Sequence, residues 1–521
     1  VTALEGHPDR RFIWAEISFF HRWWNDQSDR RREVVRGLVS SGQLEFVSGG
    51  WVQNDEANPS FVSVIEQITW GHEYLFRNFG KRPHFAWNVD PFGHSSVTPL
   101  LFKQMGFEAV VLNRIRYDLK DSFKRAQTME FLWETPMGDL FAHVLHTHYS
   151  APQGFDWEDG MPQVTAGNVG DRARQLQGIL SDRANAYRTC NLLVPFGDDF
   201  KFKRASYQFE NMDQLISEIN SKPQVYQNLH LRYATLSDYF KAVSAEGKDT
   251  NITFPVFKGD FFPYADNAQS YWTGFYTTRP VLKVESRLAE SILHTGSVFT
   301  ALAQAITSIP PLHTHAIREG WRQVSLSQHH DGITGTCRAP VADDYISRLR
   351  NAQEAGWKAL VEGALALLGG VTHAPSAGGT VTAPPNAGPE VASASTSAPE
   401  SAAALLVKRE SSTWSSGPLG EGERIIVANG LGRSRKKLIS IGIDRADVQV
   451  TQLLHKENVN AQVVPSQLLA SEGGNFQLTW IAHCPGMGLC TFVIEPLQPN
   501  GKASEQVEEE AAAAQGSRFF T

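Results

Sequence analysis

The sequence has little cysteine, only four residues in a chain of 521. They are Cys190, Cys337, Cys484 and Cys490. This is too few for the disulfide framework of a small secreted domain, and none of them has the Cys-x-x-Cys spacing of a structural zinc site. Cysteine usage therefore argues against both classes and leaves the redox compartment open.

The chain also lacks a surplus of positive charge and a long apolar run. Its 48 Lys and Arg are outnumbered by 55 Asp and Glu, which gives a net charge of -7. Without a basic excess there is little drive to bind phosphates, so we expect no nucleic-acid partner. No run of about 18 apolar residues is present, so we expect no membrane-spanning segment. The sequon at 251–253 is compatible with the secretory pathway, and the oligomeric state stays open.

Aromatic residues, in contrast, are plentiful, with 13 Trp and 30 Phe. Most of them must belong to hydrophobic cores, but aromatic-rich clefts also suit sugar rings. A chain of 521 residues is too long for a single core. About two or three domains are therefore expected.

Strand-like and helix-like segments alternate through the first half of the chain. Short links between such segments predict a parallel α/β sheet flanked by helices, in an open or a barrel-like form. In both forms, functional residues lie just beyond the carboxyl ends of the strands. The predicted strands are residues 12–17, 44–47, 84–89, 109–112, 140–145, 192–196 and 229–233.

The rest of the chain changes character several times. Long helical patterns predict a three-helix bundle. A following stretch rich in Ala, Gly, Ser and Pro predicts a disordered linker, and alternating apolar residues then predict the first strands of a β-sandwich. We expect an α/β domain at 1–262, the bundle at 263–368, the linker at 369–423, a partial β-sandwich at 424–498 and a low-complexity tail at 499–521.

Charged residues follow several of the predicted strands. Asp90 precedes Pro91, which cannot continue a sheet, so the carboxylate is expected at the mouth of its strand. Two carboxyl groups facing each other across a cleft can hydrolyse a glycoside, one attacking carbon and the other protonating the leaving oxygen. Asp residues after strands also cap helices, so that interpretation stays open. The charged residues after strands are Asp55, Glu56, Asp90, Arg114, Asp198 and Asp199.

A second polar cluster, residues 328–336, lies at the end of a predicted helix. It contains the adjacent residues His329, His330 and Asp331. Neighbouring histidines on a helix cannot both face one point, so at most one is expected to bind a metal while the other supports it. A purely structural role for the pair is equally open.

Five segments together resemble glycoside hydrolase family 38 α-mannosidases. The similarity covers most of residues 1–370 and is weaker across 424–498. Each match is moderately specific, but all of them in the correct order are very hard to obtain by chance. They are EFVSGGWVQNDE at 45–56, DPFGHS at 90–95, GDFFPYAD at 259–266, YWTGFYTTRP at 271–280 and HHDGITGT at 329–336.

The resemblance implies roles for four charged residues. Asp90 would be the nucleophile that forms a covalent mannosyl-enzyme, and would also ligate zinc. His330 would be a second zinc ligand, and Asp199 the general acid/base. Arg114 would lie beside Asp90 and keep its carboxylate ionised.

The resemblance also implies a sugar pocket. Phe92 and Trp272 would form its apolar walls, while Asp331 would hold sugar hydroxyls. Asp198 and Tyr149 are further substrate-binding candidates, Tyr149 on a looser match. Zinc would bind hydroxyls of the mannose and favour its distorted ring, and the anomeric configuration would be retained.

The sequence departs from the family pattern at its start. The family supplies two further zinc ligands from a His-x-Asp motif on a first strand, upstream of the segment that matches Val1. The only such spacing near this N-terminus is His7-Pro8-Asp9, in a polar stretch. A catalytic zinc normally has three or more protein ligands. We therefore expect a barrel-like domain without its first strand and, for the chain as it stands, an inactive fragment that also lacks most of the family's C-terminal β-domains.

The leading hypothesis is a retaining, zinc-dependent exo-α-mannosidase. Its substrates would be N-glycans or glycoproteins in the secretory pathway, with a lysosome or vacuole favoured over the Golgi lumen. One alternative is a non-catalytic mannose-binding relative that has lost the metal. Another is a different metal hydrolase, such as a deacetylase, which would use zinc-bound water and form no covalent sugar adduct.

Overall fold

The computed structural model describes two long stretches of the chain and a set of strands after them. The long stretches are residues 1–307 and 313–367. The expected tail at 499–521 and most of the expected linker lie outside the described residues. The strand segments described are 403–408, 424–429, 434–443, 448–453, 462–470, 476–484 and 488–496.

Two compact units make up the chain. The first unit joins Val1–Arg287 with Trp321–Arg350, and the second joins Leu288–Gly320 with Asn351–Thr521. The first unit contains strands β1 Phe12–Trp14, β2 Leu44–Phe46, β3 Phe85–Asn88, β4 Ala109–Leu112, β5 Glu130–Trp133, β6 Leu140–Val144 and β7 Val256–Phe257. Its helices are α1 Ile17–Asn25, α2 Asp29–Ser40, α3 Phe61–Phe79, α4 Val97–Gln104, α5 Tyr117–Ala126, α6 Val169–Ala184, α7 Ala205–Ser221 and α8 Leu236–Asp249.

The strands of the first unit form two sheets. β1 pairs with β2 in parallel, and the larger sheet has the order β3-β4-β6-β5-β7. β3, β4 and β6 are mutually parallel, whereas β5 runs antiparallel to β6. This confirms an α/β fold with a mostly parallel sheet. The barrel-like expectation is not confirmed, because the strands of the described residues do not close into a ring.

Apolar residues cover both faces of the larger sheet. All four residues of β4 are buried. Val110 and Leu112 belong to one core cluster, and Ala109 and Val111 belong to the cluster on the opposite face. A strand that is apolar on both sides is typical of a parallel sheet sandwiched between helices.

Local signals explain where the main helices begin and end. Ser60 caps the start of α3 by accepting a hydrogen bond from the backbone N–H of Ser63 at 3.1 Å. Gly80 ends the helix in the left-handed conformation, with φ of 63°, which glycine adopts at no steric cost. Thr235 and Asp238 form a capping box at the start of α8.

Two predicted strands are wrong. Residues 192–196 and 229–233 contain no strand. In the second segment, the side-chain amide of Asn220 accepts from the backbone N–H of Leu231 at 2.8 Å and donates to its carbonyl at 2.7 Å. One side chain therefore satisfies both backbone groups of Leu231 that a neighbouring strand would otherwise bind.

Three long helices follow the α/β region. They are α9 Pro280–Thr307, α10 Thr314–Ser327 and α11 Ala339–Leu367, close to the predicted helical segments. Within the second unit, α9 and α11 approach closely at two glycines, since a Cβ on Gly296 would lie 2.5 Å from the carbonyl oxygen of Gly356. Small residues thus allow the two backbones to meet.

The second unit also contains two antiparallel sheets with a shared apolar core, as expected for a β-sandwich. Residues 403–408 are a strand in a stretch that we expected to be linker, and they pair with the strand after it. The strands are β8 Ala403–Lys408, β9 Arg424–Asn429, β10 Arg435–Ile443, β11 Val448–Leu453, β12 Gln462–Val464, β13 Ser466–Ala470, β14 Phe476–Cys484 and β15 Gly488–Pro496. The sheet orders are β10-β14-β13 and β12-β11-β15-β9-β8.

Candidate active site

Asp90 and Arg114 lie side by side because their strands are parallel neighbours. Asn88 at the end of β3 is in register with Leu112 at the end of β4, and each charged residue comes two positions later. Arg114 Nε donates to Asp90 Oδ1 at 2.7 Å, and Nη2 donates to the same oxygen. The prediction that Arg114 lies beside the Asp90 carboxylate is therefore met in the structure.

His330 reaches the other oxygen of the same carboxylate. Its Nε2 lies 2.8 Å from Asp90 Oδ2, and its Nδ1 lies 2.7 Å from the carbonyl oxygen of Gln53. Because a carbonyl only accepts, Nδ1 carries a proton. Each oxygen of Asp90 thus has one cationic or potentially cationic partner.

The charges of these three residues depend on one another. Burial opposes ionisation of Asp90, but the hydrogen bond and charge of His330, together with Arg114, lower its pKa to about 2. Burial likewise opposes the protonation of His330, and the contact with Asp90 outweighs it and raises the pKa of His330 to about 9. The carboxylate is therefore ionised at neutral pH.

Gln53 connects this cluster to the loop after β2, and sequence analysis assigned it no role. Its carbonyl oxygen holds His330, and its side-chain Oε1 accepts from the backbone N–H of Asp90 at 3.2 Å. Its own backbone N–H donates to Glu16 Oε1 at 2.9 Å. The only sequence signal for Gln53 was its place within the EFVSGGWVQNDE segment, because a contact made by a backbone atom does not depend on the residue type.

Aromatic rings surround the Arg114 guanidinium. Its centre lies 5.0 Å from the ring centroid of Trp272, 5.5 Å from that of Phe92 and 5.6 Å from that of Tyr264. Phe92 is almost fully buried and its ring centroid lies 4.9 Å from that of Trp272. Asp266 fixes this wall by accepting from Trp272 Nε1 at 2.9 Å and from the Tyr264 hydroxyl. The two predicted wall residues, Phe92 and Trp272, therefore lie together beside Asp90.

Asp199 is brought to the cluster through Tyr149. The Tyr149 hydroxyl donates to Asp199 Oδ1 at 3.2 Å. Burial, followed by the charges of Asp90 and Asp199, raises the pKa of Tyr149 far above its ordinary value, so the phenol keeps its proton. The phenol of Tyr149 thus lies close to both predicted catalytic carboxylates.

Asp198 and Asp199 differ in what they contact. Asp198 is exposed, and its Oδ1 accepts from the backbone N–H of Asp199 at 2.8 Å, which stabilises the turn that presents Asp199. Asp199 is also exposed and borders a groove of about 550 Å³. Further residues that line the groove are Trp157, Phe200, Lys201, Arg204 and Tyr207.

The rings of the adjacent histidines lie close together, with centroids 4.2 Å apart, but contact different partners. His329 Nδ1 lies 3.1 Å from Glu16 Oε1 rather than beside Asp90. Asp331 accepts from the Thr336 hydroxyl at 2.7 Å and remains partly accessible. Potential ligand atoms of His329, His330 and Asp331 nevertheless lie within 4.8 Å of one another.

The donor set around Asp90 fits zinc in its chemistry. Imidazole nitrogen and carboxylate oxygen are ligands that zinc prefers. Asp90 Oδ2 and His330 Nε2 are already in contact, and Asp331 lies close to His330. Nδ1 of His330 is held by a backbone carbonyl, which is a common way to orient a metal-binding imidazole.

Two family descriptions match this chain. The first, "Glycosyl hydrolases family 38 N-terminal domain", covers residues 1–267, and the second, "Alpha mannosidase middle domain", covers 270–368. The chain belongs to glycoside hydrolase family 38. The family's matched regions contain every residue of the cluster described above.

Relatives of this family 38 chain include a "Lysosomal alpha-mannosidase" of Dictyostelium discoideum, 34% identical over 100% of this chain and 50% of the relative. An "Alpha-mannosidase 2" of Rattus norvegicus is 31% identical over 95% of this chain and 46% of the relative. A crystal structure of an alpha-mannosidase from Enterococcus faecalis shares the fold, with a TM-score of 0.63 and 15% identity, over 96% of this chain and 53% of that one. The chain thus spans about half the length of these relatives. In its described part, no helix is both long and apolar enough to cross a membrane.

Proposed function

We propose that this site hydrolyses terminal α-linked mannose from N-glycans or glycoproteins with retention of anomeric configuration. The observation that carries the proposal is the ionised Asp90 carboxylate, held between Arg114 and His330 at the end of β3. Asp199, which accepts a hydrogen bond from Tyr149 close to Asp90, supplies the second carboxyl group that glycoside hydrolysis requires.

Asp90 acts as the nucleophile in this proposal. Its low pKa, about 2, keeps it ionised in acidic compartments as well as at neutral pH. Arg114 and His330 each bind one of its oxygens and so fix the plane of the carboxylate. Attack on the anomeric carbon forms the covalent mannosyl-enzyme, and water later releases the sugar.

Asp199 acts as general acid and then as general base. Its side chain is exposed, so it can give a proton to the glycosidic oxygen and later take one from the incoming water. Asp198 holds the turn in place through the backbone N–H of Asp199. Tyr149 donates a hydrogen bond to Asp199 and lies close to Asp90, so it helps to hold Asp199 near the nucleophile.

The mannose ring would lie against Phe92 and Trp272, with polar contacts from Asp331. Apolar ring faces next to directional polar groups are the usual composition of a sugar site. The rim position of Asp331, which is partly accessible, supports contact with sugar hydroxyls.

Asp90 and His330 would hold zinc, with Asp331 as the neighbouring carboxylate. The ion would supply Lewis acidity towards the sugar's hydroxyls and orient them. The residues of this chain would then provide the nucleophile, the proton donor and the apolar walls of the mannose pocket. The name of the lysosomal relative supports a secretory-pathway location for the proposed reaction, with a lysosome or vacuole favoured.

A fluorinated mannosyl donor tests the proposal, because it traps the covalent intermediate. After incubation with the full-length protein that the transcript encodes, peptide mass spectrometry should locate one mannosyl group on Asp90. The variant Asp118→Asn, on the exposed surface of α5, should still be labelled, whereas Asp90→Asn should not. Mannose binding without an adduct would instead support a non-catalytic lectin-like role, and a label on another residue would overturn the assignment of Asp90.

A further inference from the structure

Cys484 and Cys490 face each other across the β-sandwich of the second unit. Cys484 is the last residue of β14, in the three-stranded sheet, and Cys490 is the third residue of β15, in the five-stranded sheet. Both are almost fully buried, at 2% and 3% exposure. Their inward orientation follows from strand alternation, which Leu478, Trp480 and Ala482 continue in β14 and Phe492 and Ile494 continue in β15.

The two thiols are in contact. They share a side-chain hydrogen bond, and Cys490 Sγ also donates to the carbonyl oxygen of His483 at 3.2 Å. Sulfur atoms at hydrogen-bonding distance need to move by only about 2 Å to reach the length of a disulfide bond. The short connection between β14 and β15 keeps the two cysteines near each other along the chain.

Burial alone does not indicate a disulfide, because free cysteine is common in cores as a small apolar residue. The other two cysteines provide the contrast. Cys190 is exposed and interacts with Glu246, and Cys337 interacts with Arg279. Among the described residues, Cys484 and Cys490 are thus the cysteines that have each other as a partner.

We propose that Cys484 and Cys490 form a disulfide that joins the two sheets of the sandwich. The oxidant is a small-molecule disulfide such as oxidised glutathione. This inference is independent of the proposed hydrolase activity, since it concerns a different unit and needs no substrate.

The reaction consists of two thiol–disulfide exchanges. One cysteine thiolate attacks a sulfur of oxidised glutathione, which releases one glutathione thiolate and leaves a mixed disulfide. The second cysteine thiolate then attacks the protein sulfur of that mixed disulfide and releases the second glutathione. Two cysteines are oxidised, one small disulfide is reduced to two thiols, and the two cysteine protons end on the released glutathiones.

Exchange is expected before the sandwich closes. Both thiols are almost fully buried in the closed sandwich, at 2% and 3% exposure. Inaccessible thiols react slowly with disulfides. The bridge should therefore form during folding in an oxidising compartment.

Cleavage between the two residues tests for the bridge. Trypsin leaves both cysteines in one peptide, because no Lys or Arg occurs between Lys456 and Lys502. Cyanogen bromide then cuts after Met487, which separates the two cysteines. The full chain, refolded in a glutathione redox buffer and alkylated without reduction, should yield the two fragments as one linked species that separates only after reduction.

Two other outcomes would overturn the proposal. Fragments that separate without reduction and carry the alkylating group on both cysteines would show that the thiols stay reduced. Fragments that carry glutathione instead of a link would show that the pair cannot close.

The variant Cys484→Ala is the matched control, and it should leave Cys490 with an alkyl group or glutathione and never with a link. The double variant Cys190→Ser/Cys337→Ser should keep the linked species intact. Loss of the link in that double variant would show that another cysteine is the partner.

Discussion

At the scale of the residue, Asp90 is defined by the groups around its two oxygens. Arg114 and His330 each bind one oxygen, and Gln53 accepts a hydrogen bond from the Asp90 backbone. A residue held at both carboxylate oxygens and at its backbone has little orientational freedom left to lose, which suits the proposed nucleophile. Asp199 has fewer contacts and is exposed, which suits a group that must exchange protons with water.

Asp199→Asn should lower kcat more for a poor leaving group than for a good one. The reason is that an acid catalyst assists departure of the glycosidic oxygen, and a nitrophenolate needs little assistance. We expect a loss of about 10²–10⁴-fold with a mannosyl disaccharide. Initial rates on the disaccharide and on a nitrophenyl mannoside provide the comparison, with Asp118→Asn on the surface of α5 as control. Equal losses on both substrates would contradict the acid role.

Gln53→Ala should lower kcat and leave zinc content unchanged. The substitution removes the side-chain acceptor for the Asp90 N–H but keeps the backbone carbonyl that holds His330. One hydrogen bond of about 0.5–1.5 kcal/mol corresponds to a loss of roughly 2- to 13-fold. Steady-state kinetics and elemental analysis measure the two effects, with Gln43→Ala as control. A fall in metal content that accompanies the fall in kcat would show that Gln53 acts through His330 instead.

At the scale of the element, the loop between β3 and α4 is held by a buried carboxylate. The sequence pattern placed Glu56 among the charged residues that follow strands. In the structure its side chain is buried and accepts hydrogen bonds from the loop that carries Asp90. Burial opposes its charge, and the charge and hydrogen bonds of its partners outweigh this and lower its pKa. The groups that donate to Glu56 are Asn88 Nδ2, His94 Nδ1, the Ser95 backbone N–H and the Thr98 hydroxyl.

Glu56→Gln should destabilise the protein at neutral pH and progressively less in acid. A carboxyl with a lowered folded pKa contributes stability above its unfolded pKa, near 4.3, and loses it as pH falls through the folded value. The difference in unfolding free energy between wild type and variant should therefore shrink below about pH 4. Urea unfolding at several pH values measures this difference. Glu73→Gln, in an exposed pair with Arg77, should show little effect at any pH.

Gly71 in α3 determines how closely that helix packs against the turn after β2. A Cβ at this position would lie 1.9 Å from the carbonyl oxygen of Gly49. Gly71→Ala should therefore destabilise the first unit by about 1–3 kcal/mol. Gly37→Ala in α2 meets no atom within 4 Å and should instead stabilise by about 0.5–1 kcal/mol. Denaturant unfolding distinguishes the two, and similar effects for both would contradict the packing argument.

At the scale of the whole molecule, zinc should act as a stabilising ligand. A metal that binds only the folded state raises the unfolding midpoint, and the rise grows with the logarithm of metal concentration above Kd. Zinc added to metal-free protein should raise the midpoint of the wild type and of His84→Ala, whose side chain is exposed. His330→Ala should show no rise. The same rise in His330→Ala would remove that residue from the metal site.

Much of the α/β unit follows from the sequence, because apolar strands and capped helices have local signatures. The neighbouring positions of Asp90 and Arg114 follow from the rule that parallel strands end at one edge. The segments at 192–196 and 229–233 were wrongly predicted as strands. Side-chain contacts such as those of Asn220 with Leu231 replace the hydrogen bonds to a neighbouring strand, and the spacing of apolar residues does not indicate such contacts. The contacts of Gln53 could not be predicted for a related reason, because one of them is made by its main-chain oxygen.

The first compact unit is built from two separate stretches of the chain, Val1–Arg287 and Trp321–Arg350. Asp90 and His330 consequently stand 240 positions apart in order of synthesis. At ordinary ribosomal speeds, roughly 10 to 50 s pass between the appearance of one and of the other. During that interval the nascent polypeptide contains Asp90 while its imidazole neighbour has not yet been translated. Assembly of the cluster around Asp90 is therefore a late event in biogenesis, and any truncation upstream of His330 leaves it incomplete.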